Sequence, residues 1–97
     1  MQKTMLITGA NSGLGFEAAR QLAKQGHEII LLCRNKEKGE QAVADIKSFS
    51  GNQKIHLYTA NLAVQKSVEV VAAQIKKDFG KLDVLLNNAG GVFSDFW

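Results

Sequence analysis

The sequence predicts an α/β fold: a doubly wound parallel sheet built as β-α-β-α-β-α-β, with strands in the order 3-2-1-4. Four short apolar runs alternate with three stretches whose apolar residues recur at helical spacing. Strands that are apolar on both faces and separated by helices belong in a parallel sheet covered on both sides. A glycine-rich turn joins the first run to the first helical stretch. Right-handed crossovers then favour the doubly wound order, with its switch point between the first and fourth strands.

Each element follows in turn. Residues 4 to 8 form the first strand through Met5, Leu6 and Ile7. From Gly13 to about Gln25, Leu14, Ala18, Ala19, Leu22 and Ala23 make a helical stripe, and Gly26 stops it. Residues 28 to 33 form a second strand through Ile29, Ile30, Leu31 and Leu32. A second helix runs from Asn35, a fitting N-cap, to about Phe49, with Ala42, Val43, Ile46 and Phe49 on one face. Ser50-Gly51-Asn52 is a turn. Residues 54 to 59 alternate, with Ile55, Leu57 and Thr59 on one side and His56 and Tyr58 on the other. A third helix covers about 64 to 79 through Val68, Val71, Ala72, Ile75 and Phe79, and Gly80 ends it. Val84, Leu85 and Leu86 form the fourth strand.

The 97 residues suffice for one small domain, 45% hydrophobic and 22% charged, as is ordinary for a globular protein. No run approaches the roughly 18 to 20 apolar residues of a membrane span, and the N-terminus lacks the apolar stretch of an export signal. The one cysteine, Cys33, fits a reducing, cytoplasmic setting. The net charge of +3 comes without a basic stripe interleaved with aromatics, which argues against a nucleic-acid binder. His27 and His56 suggest no metal site, and Cys33 is expected in the core.

The stretch Thr8-Gly9-Ala10-Asn11-Ser12-Gly13-Leu14-Gly15 places three glycines between a strand and a helix, spaced G-x-x-x-G-x-G. Gly9 permits a tight turn, and Gly13 and Gly15 let backbone N–H groups approach a ligand closely. The helix start adds unpaired donors and partial positive charge, a setting for a phosphate. Asn11 and Ser12 are suited to cap that helix as well. A dinucleotide site for NAD usually has an acidic residue about 20 positions beyond the glycines. Here the second strand ends on Arg34, with Lys36 and Lys38 close behind. A guanidinium fork holds a 2′-phosphate through charge-assisted bonds of about 1.5–3 kcal/mol each, so NADP(H) is predicted over NAD(H). The fourth strand leads into Asn87-Asn88-Ala89-Gly90, whose amides suit backbone or ribose hydroxyls.

These motifs, in this order, resemble those of the short-chain dehydrogenase/reductase family: T-G-x-x-x-G-x-G at Thr8 to Gly15 and N-N-A-G at Asn87 to Gly90. The stretch from Cys33 to Glu40 is most similar to the NADP-preferring, retinol-dehydrogenase-like branch. The resemblance covers essentially the whole chain and implies a Rossmann-type oxidoreductase domain over residues 1–97, truncated relative to the family. It implies that Gly9, Asn11, Ser12, Gly13, Leu14 and Gly15 hold the pyrophosphate and adjacent ribose. Arg34 and Lys38 would hold the 2′-phosphate. Asn61 and Leu62 would face the adenine, in the place of the family's Asp-Leu or Asp-Val pair, with the Asn61 carbonyl accepting from the exocyclic amine. Asn88, Ala89 and Gly90 would line the ribose side.

The family's proton donor lies in Y-x-x-x-K beyond N-N-A-G. The one tyrosine here, Tyr58, precedes the motif and is followed four residues later by Leu62. The resemblance therefore implies NADP(H) binding without turnover by these residues alone. The alternative is a non-enzymatic nucleotide-binding or regulatory module that pairs with another chain. The fourth strand would be an edge, and an apolar edge invites pairing. A homo-oligomer through that strand, or through Phe93, Phe96 and Trp97, is expected.

Overall fold

The computed structural model describes residues 2–9, 13–61 and 63–87. Four parallel strands, β1 (Thr4–Thr8), β2 (Glu28–Cys33), β3 (Ile55–Thr59) and β4 (Val84–Asn87), alternate with α1 (Gly13–Lys24), α2 (Lys36–Ser50) and α3 (Gln65–Phe79). The sheet order is β3-β2-β1-β4, as the sequence predicts. Met5 stands opposite Ile29 and Val84, and Leu31 opposite Leu57.

The strand run is apolar throughout because both faces are covered. Side chains alternate across a strand, so Met5, Ile7, Ile29, Leu31, Cys33 and Ile55 enter one core, with Ala19 and Ala23 of α1 and Ala42 and Ile46 of α2. Leu6, Ile30 and Leu32 enter the opposite core, beneath Val68, Val71, Ala72 and Ile75 of α3. Cys33 is buried, as expected of a core residue.

Local chemistry sets the ends of the elements. The Asn35 side chain accepts from the Lys38 N–H at 3.0 Å, capping α2 as its sequence suggests. α3 begins one residue later than its periodicity suggests, and Val64 takes the N-cap position with no side-chain cap. The Asp83 carboxylate accepts the Thr4 N–H at 2.9 Å and its own N–H donates to the Thr4 carbonyl at 2.8 Å, which starts the β1–β4 ladder.

Two side chains depart from the expected faces. Leu14 is 85% exposed. The stripe of α1 against the sheet is Gly15, Ala19 and Ala23, spaced four apart, and Leu14 lies one position off it. Phe49 is also partly exposed; its ring lies 4.0 Å beneath the Arg20 guanidinium and 5.2 Å from the Lys24 ammonium, a cation–π contact to α1 rather than a place in the core. Gly39, on the sheet side of α2, is buried: a Cβ there would stand 2.7 Å from Leu57 Cδ1 and 3.1 Å from Cδ2.

Candidate functional site

Three loops meet at the carboxyl ends of the strands. The Gly9 N–H donates to the Leu32 carbonyl at 3.1 Å, which holds the turn after β1 against the end of β2. The Ala60 N–H donates to the Cys33 carbonyl at 3.1 Å, which brings the β3–α3 loop to the same place from the other side. Thr8 stands opposite Leu32 and Asn87 in register, so β4 ends beside the glycine turn. Gly9, Arg34, Asn61 and Asn87, spread over 79 residues of sequence, thus lie along one edge. A crevice outside the strand ends, at the point where strand order reverses, is where doubly wound sheets bind ligands.

The backbone there requires glycine. Gly9 has φ +64° and Gly13 has φ +65°, the left-handed region that a side chain resists. Gly13 opens α1, and a Cβ built on it meets nothing within 4 Å. The first turn of α1 carries no acidic residue, so no carboxylate competes for its N–H groups. Gly15 is buried, where α1 approaches the sheet. Leu14 is exposed beside it. Asn11, Ser12, Leu62, Asn88, Ala89 and Gly90 lie outside the described residues.

The charge at the end of β2 is unbalanced. Arg34, Lys36 and Lys38 are all exposed, and none is in an ion pair among the described residues. Glu37, the nearest carboxylate in sequence, is exposed in the first turn of α2. Three cations beside a glycine turn form a setting for a polyanion, and this donor set fits a phosphorylated dinucleotide.

Asn61 is held by its own loop. Its side-chain carbonyl accepts the Ala63 N–H at 3.1 Å and keeps a second lone pair for a further donor. Its own N–H donates to Ser67 Oγ at 3.0 Å, and its backbone carbonyl accepts from Val64 at 3.0 Å. Ser67 and Ala63 therefore hold Asn61, a role that the sequence reading missed; the only trace of it is an Asn two residues before the partner N–H, the spacing of an Asx turn. Beside this loop, an open groove of about 530 Å³ runs between Thr59 and the first turns of α3, lined by Val64, Ser67, Val70 and Val71.

Tyr58 stands apart from these loops. Its hydroxyl donates to Asp78 Oδ2 at 2.5 Å and its ring meets Phe79 edge-on. Burial, and then the bond to the Asp78 carboxylate, push the phenol up to about 12. A phenol so placed does not share the edge where the glycines and cations meet. His56 bonds Glu28 at 2.7 Å, and His27 accepts the Lys3 N–H at 3.0 Å through Nδ1, so both histidines have structural partners. No cluster able to hold a metal ion occurs among the described residues, and none of their helices is long and apolar enough to cross a membrane.

Residues 3–96 match the family model for short chain dehydrogenase. The chain belongs to the short-chain dehydrogenase family. It is 40% identical over 95 residues to retinol dehydrogenase 13 of Homo sapiens, covering 98% of this chain and 29% of that protein. Among solved structures, L-sorbose reductase from Gluconobacter frateurii, complexed with NADPH and L-sorbose, superposes with a TM-score of 0.81 at 31% identity; the match covers 93% of this chain and 34% of that one. An actinorhodin polyketide ketoreductase solved with NADPH gives a TM-score of 0.81 at 30% identity, covering 93% and 34%. The chain thus spans about a third of the length of these family members.

Proposed function

We propose that residues 1–97 are the NADP(H)-binding portion of a short-chain dehydrogenase/reductase. The reading rests on one observation above all: the hydrogen bonds Gly9 to Leu32 and Ala60 to Cys33 draw the glycine turn and the β3–α3 loop to the end of β2, where three cations stand that are in no ion pair among the described residues. In it, Gly9, Asn11, Ser12, Gly13, Leu14 and Gly15 hold the pyrophosphate. Arg34 and Lys38 hold the 2′-phosphate, Asn61 and Leu62 face the base, and Asn88, Ala89 and Gly90 line the ribose side. The NADPH bound in the two related reductases supports this choice of cofactor. The nicotinamide, when bound, supplies hydride chemistry. These residues contribute binding and orientation only, since their one tyrosine, Tyr58, is engaged with Asp78. β4 pairs only with β1 among the described residues, which supports association with a second chain along that strand.

Calorimetric titration tests the reading. NADPH is expected to bind roughly tenfold or more tightly than NADH, the worth of one or two charge-assisted bonds. Equal affinities would remove the assignment of Arg34 and Lys38.

A further inference from the structure

The end of β2 and the first turn of α2 are pressed together at one point. Gly39 lies in that turn, buried against the sheet. A Cβ built on it would stand 2.7 and 3.1 Å from the two methyl groups of Leu57 on β3. It would also stand 3.4 Å from the Cβ of Cys33, the last residue of β2. A side chain at this position therefore displaces either Leu57 or the helix. Leu57 packs against the core that holds Cys33, Ala42 and Ile46, so its room to retreat is limited. The helix end is held by fewer contacts and gives more readily.

The same contact fixes two cations. Arg34 directly follows Cys33, and Lys38 directly precedes Gly39. The loop between them is closed twice by Asn35. Its side-chain oxygen accepts the Lys38 N–H at 3.0 Å, and its backbone carbonyl accepts the Gly39 N–H at 2.9 Å. The stretch from Cys33 to Gly39 is thus a clamp, touching at its ends and bonded within. Arg34 and Lys38 stand on its two arms, both exposed and neither in an ion pair among the described residues. Two long side chains must be ordered to hold one phosphate together. That ordering costs less when their backbones already stand at a fixed separation.

We infer that Gly39 is a positioning residue for cofactor choice. Its missing side chain lets the first turn of α2 lie against Cys33 and Leu57, and so lets Arg34 and Lys38 converge on the 2′-phosphate. Gly39 acts through these two cations, and the inference rests on the dinucleotide reading above.

The test titrates three proteins with NADPH and with NADH: the natural chain, Gly39→Ala, and Gly39→Ala combined with Leu57→Val. Circular dichroism checks each fold. Gly39→Ala is expected to lower the preference for NADPH roughly three- to tenfold, part of what one charge-assisted bond contributes, and to change NADH affinity less than about twofold. Valine lacks the two methyl positions that Leu57 presents, so Leu57→Val makes room for the added Cβ and is expected to restore most of the preference. A glycine that served stability alone would leave the ratio of the two affinities unchanged in the folded variant. Where Gly39→Ala does not fold, Asn35→Ala opens the same clamp from an exposed position. It is expected to lower the ratio likewise, while Asn35→Ser, which retains a cap, spares it. An unchanged ratio in the folded variant, or no recovery with Leu57→Val, overturns the role of Gly39 while dinucleotide binding stands. If the natural chain binds both cofactors equally, or neither, the NADP(H) reading fails and takes this inference with it.

Discussion

The side chain of Asn52 donates to the carbonyl of His27 at 2.7 Å, across 25 residues of sequence. The same NH₂ donates to the Ala23 carbonyl at 3.0 Å, and the side-chain oxygen accepts from Lys54 at 2.8 Å. One amide therefore closes the end of α1, the start of β2 and the approach to β3. Asn52→Ala leaves two carbonyls and one N–H without these partners. Each such group costs about 1–3 kcal/mol when it is shielded from water, and less where water reaches it. We expect a loss of about 2 kcal/mol in urea denaturation. A loss below about 0.5 kcal/mol would mean that water replaces the amide fully.

Gly39 and Leu57 are coupled. Alanine in a helix interior gains about 1 kcal/mol over glycine, but here its Cβ would crowd both Leu57 methyl groups, at 2.7 and 3.1 Å. Overpacking costs about 1–3 kcal/mol. Gly39→Ala is expected to destabilise, and Leu57→Val in the same chain to recover part of the loss. A double-mutant cycle measures this: strict additivity would contradict the contact.

The single tyrosine reports on the β3–α3 contact. Tyr58 ionises near 12 in the fold, against an ordinary 10.0. The raised value means that the fold favours the neutral phenol. That contribution is complete below pH 10 and is lost as pH rises through about 12. Ultraviolet titration should follow this one group. Asp78→Asn removes the charged acceptor, so the midpoint should fall yet stay above 10, because burial is the larger cause. An unchanged midpoint would remove Asp78 from the account.

Arg34→Ala separates the two cofactors. One lost charge-assisted pair should weaken NADPH binding roughly 10- to 100-fold. NADH, which lacks the 2′-phosphate, should change by less than about threefold on that reading. Raising the salt concentration should narrow the gap in the natural chain, since Arg34 and Lys38 are exposed and their charge is screened. Equal losses for both cofactors would place the guanidinium elsewhere.

The order of elements was legible because each signal lies within a few neighbouring residues. Ile29 to Leu32 reads as a doubly covered strand, Asn35 as a cap and Gly80 as a stop, and each stands so in the structure. The glycine spacing and Arg34 were legible for the same reason. The failures share another cause. Leu14 fits a helical stripe, yet the sheet selects the neighbouring stripe of Gly15, Ala19 and Ala23, because the small residues lie on it. Phe49 fits the core face of α2, but its ring finds the cations of Arg20 and Lys24 on another helix.

By itself the sequence determined the strands, the helices, their order in the sheet and the residue types at its carboxyl edge. Periodicity and turn chemistry act locally, and right-handed crossovers leave little choice of topology. Tertiary structure decided which atoms of those residues are free. The Asn61 side-chain carbonyl accepts from Ala63, and the Asn52 amide donates to carbonyls 25 and 29 residues away. A hydrogen bond depends on position to within a fraction of an ångström and on direction, and neither exists until the strands are in register.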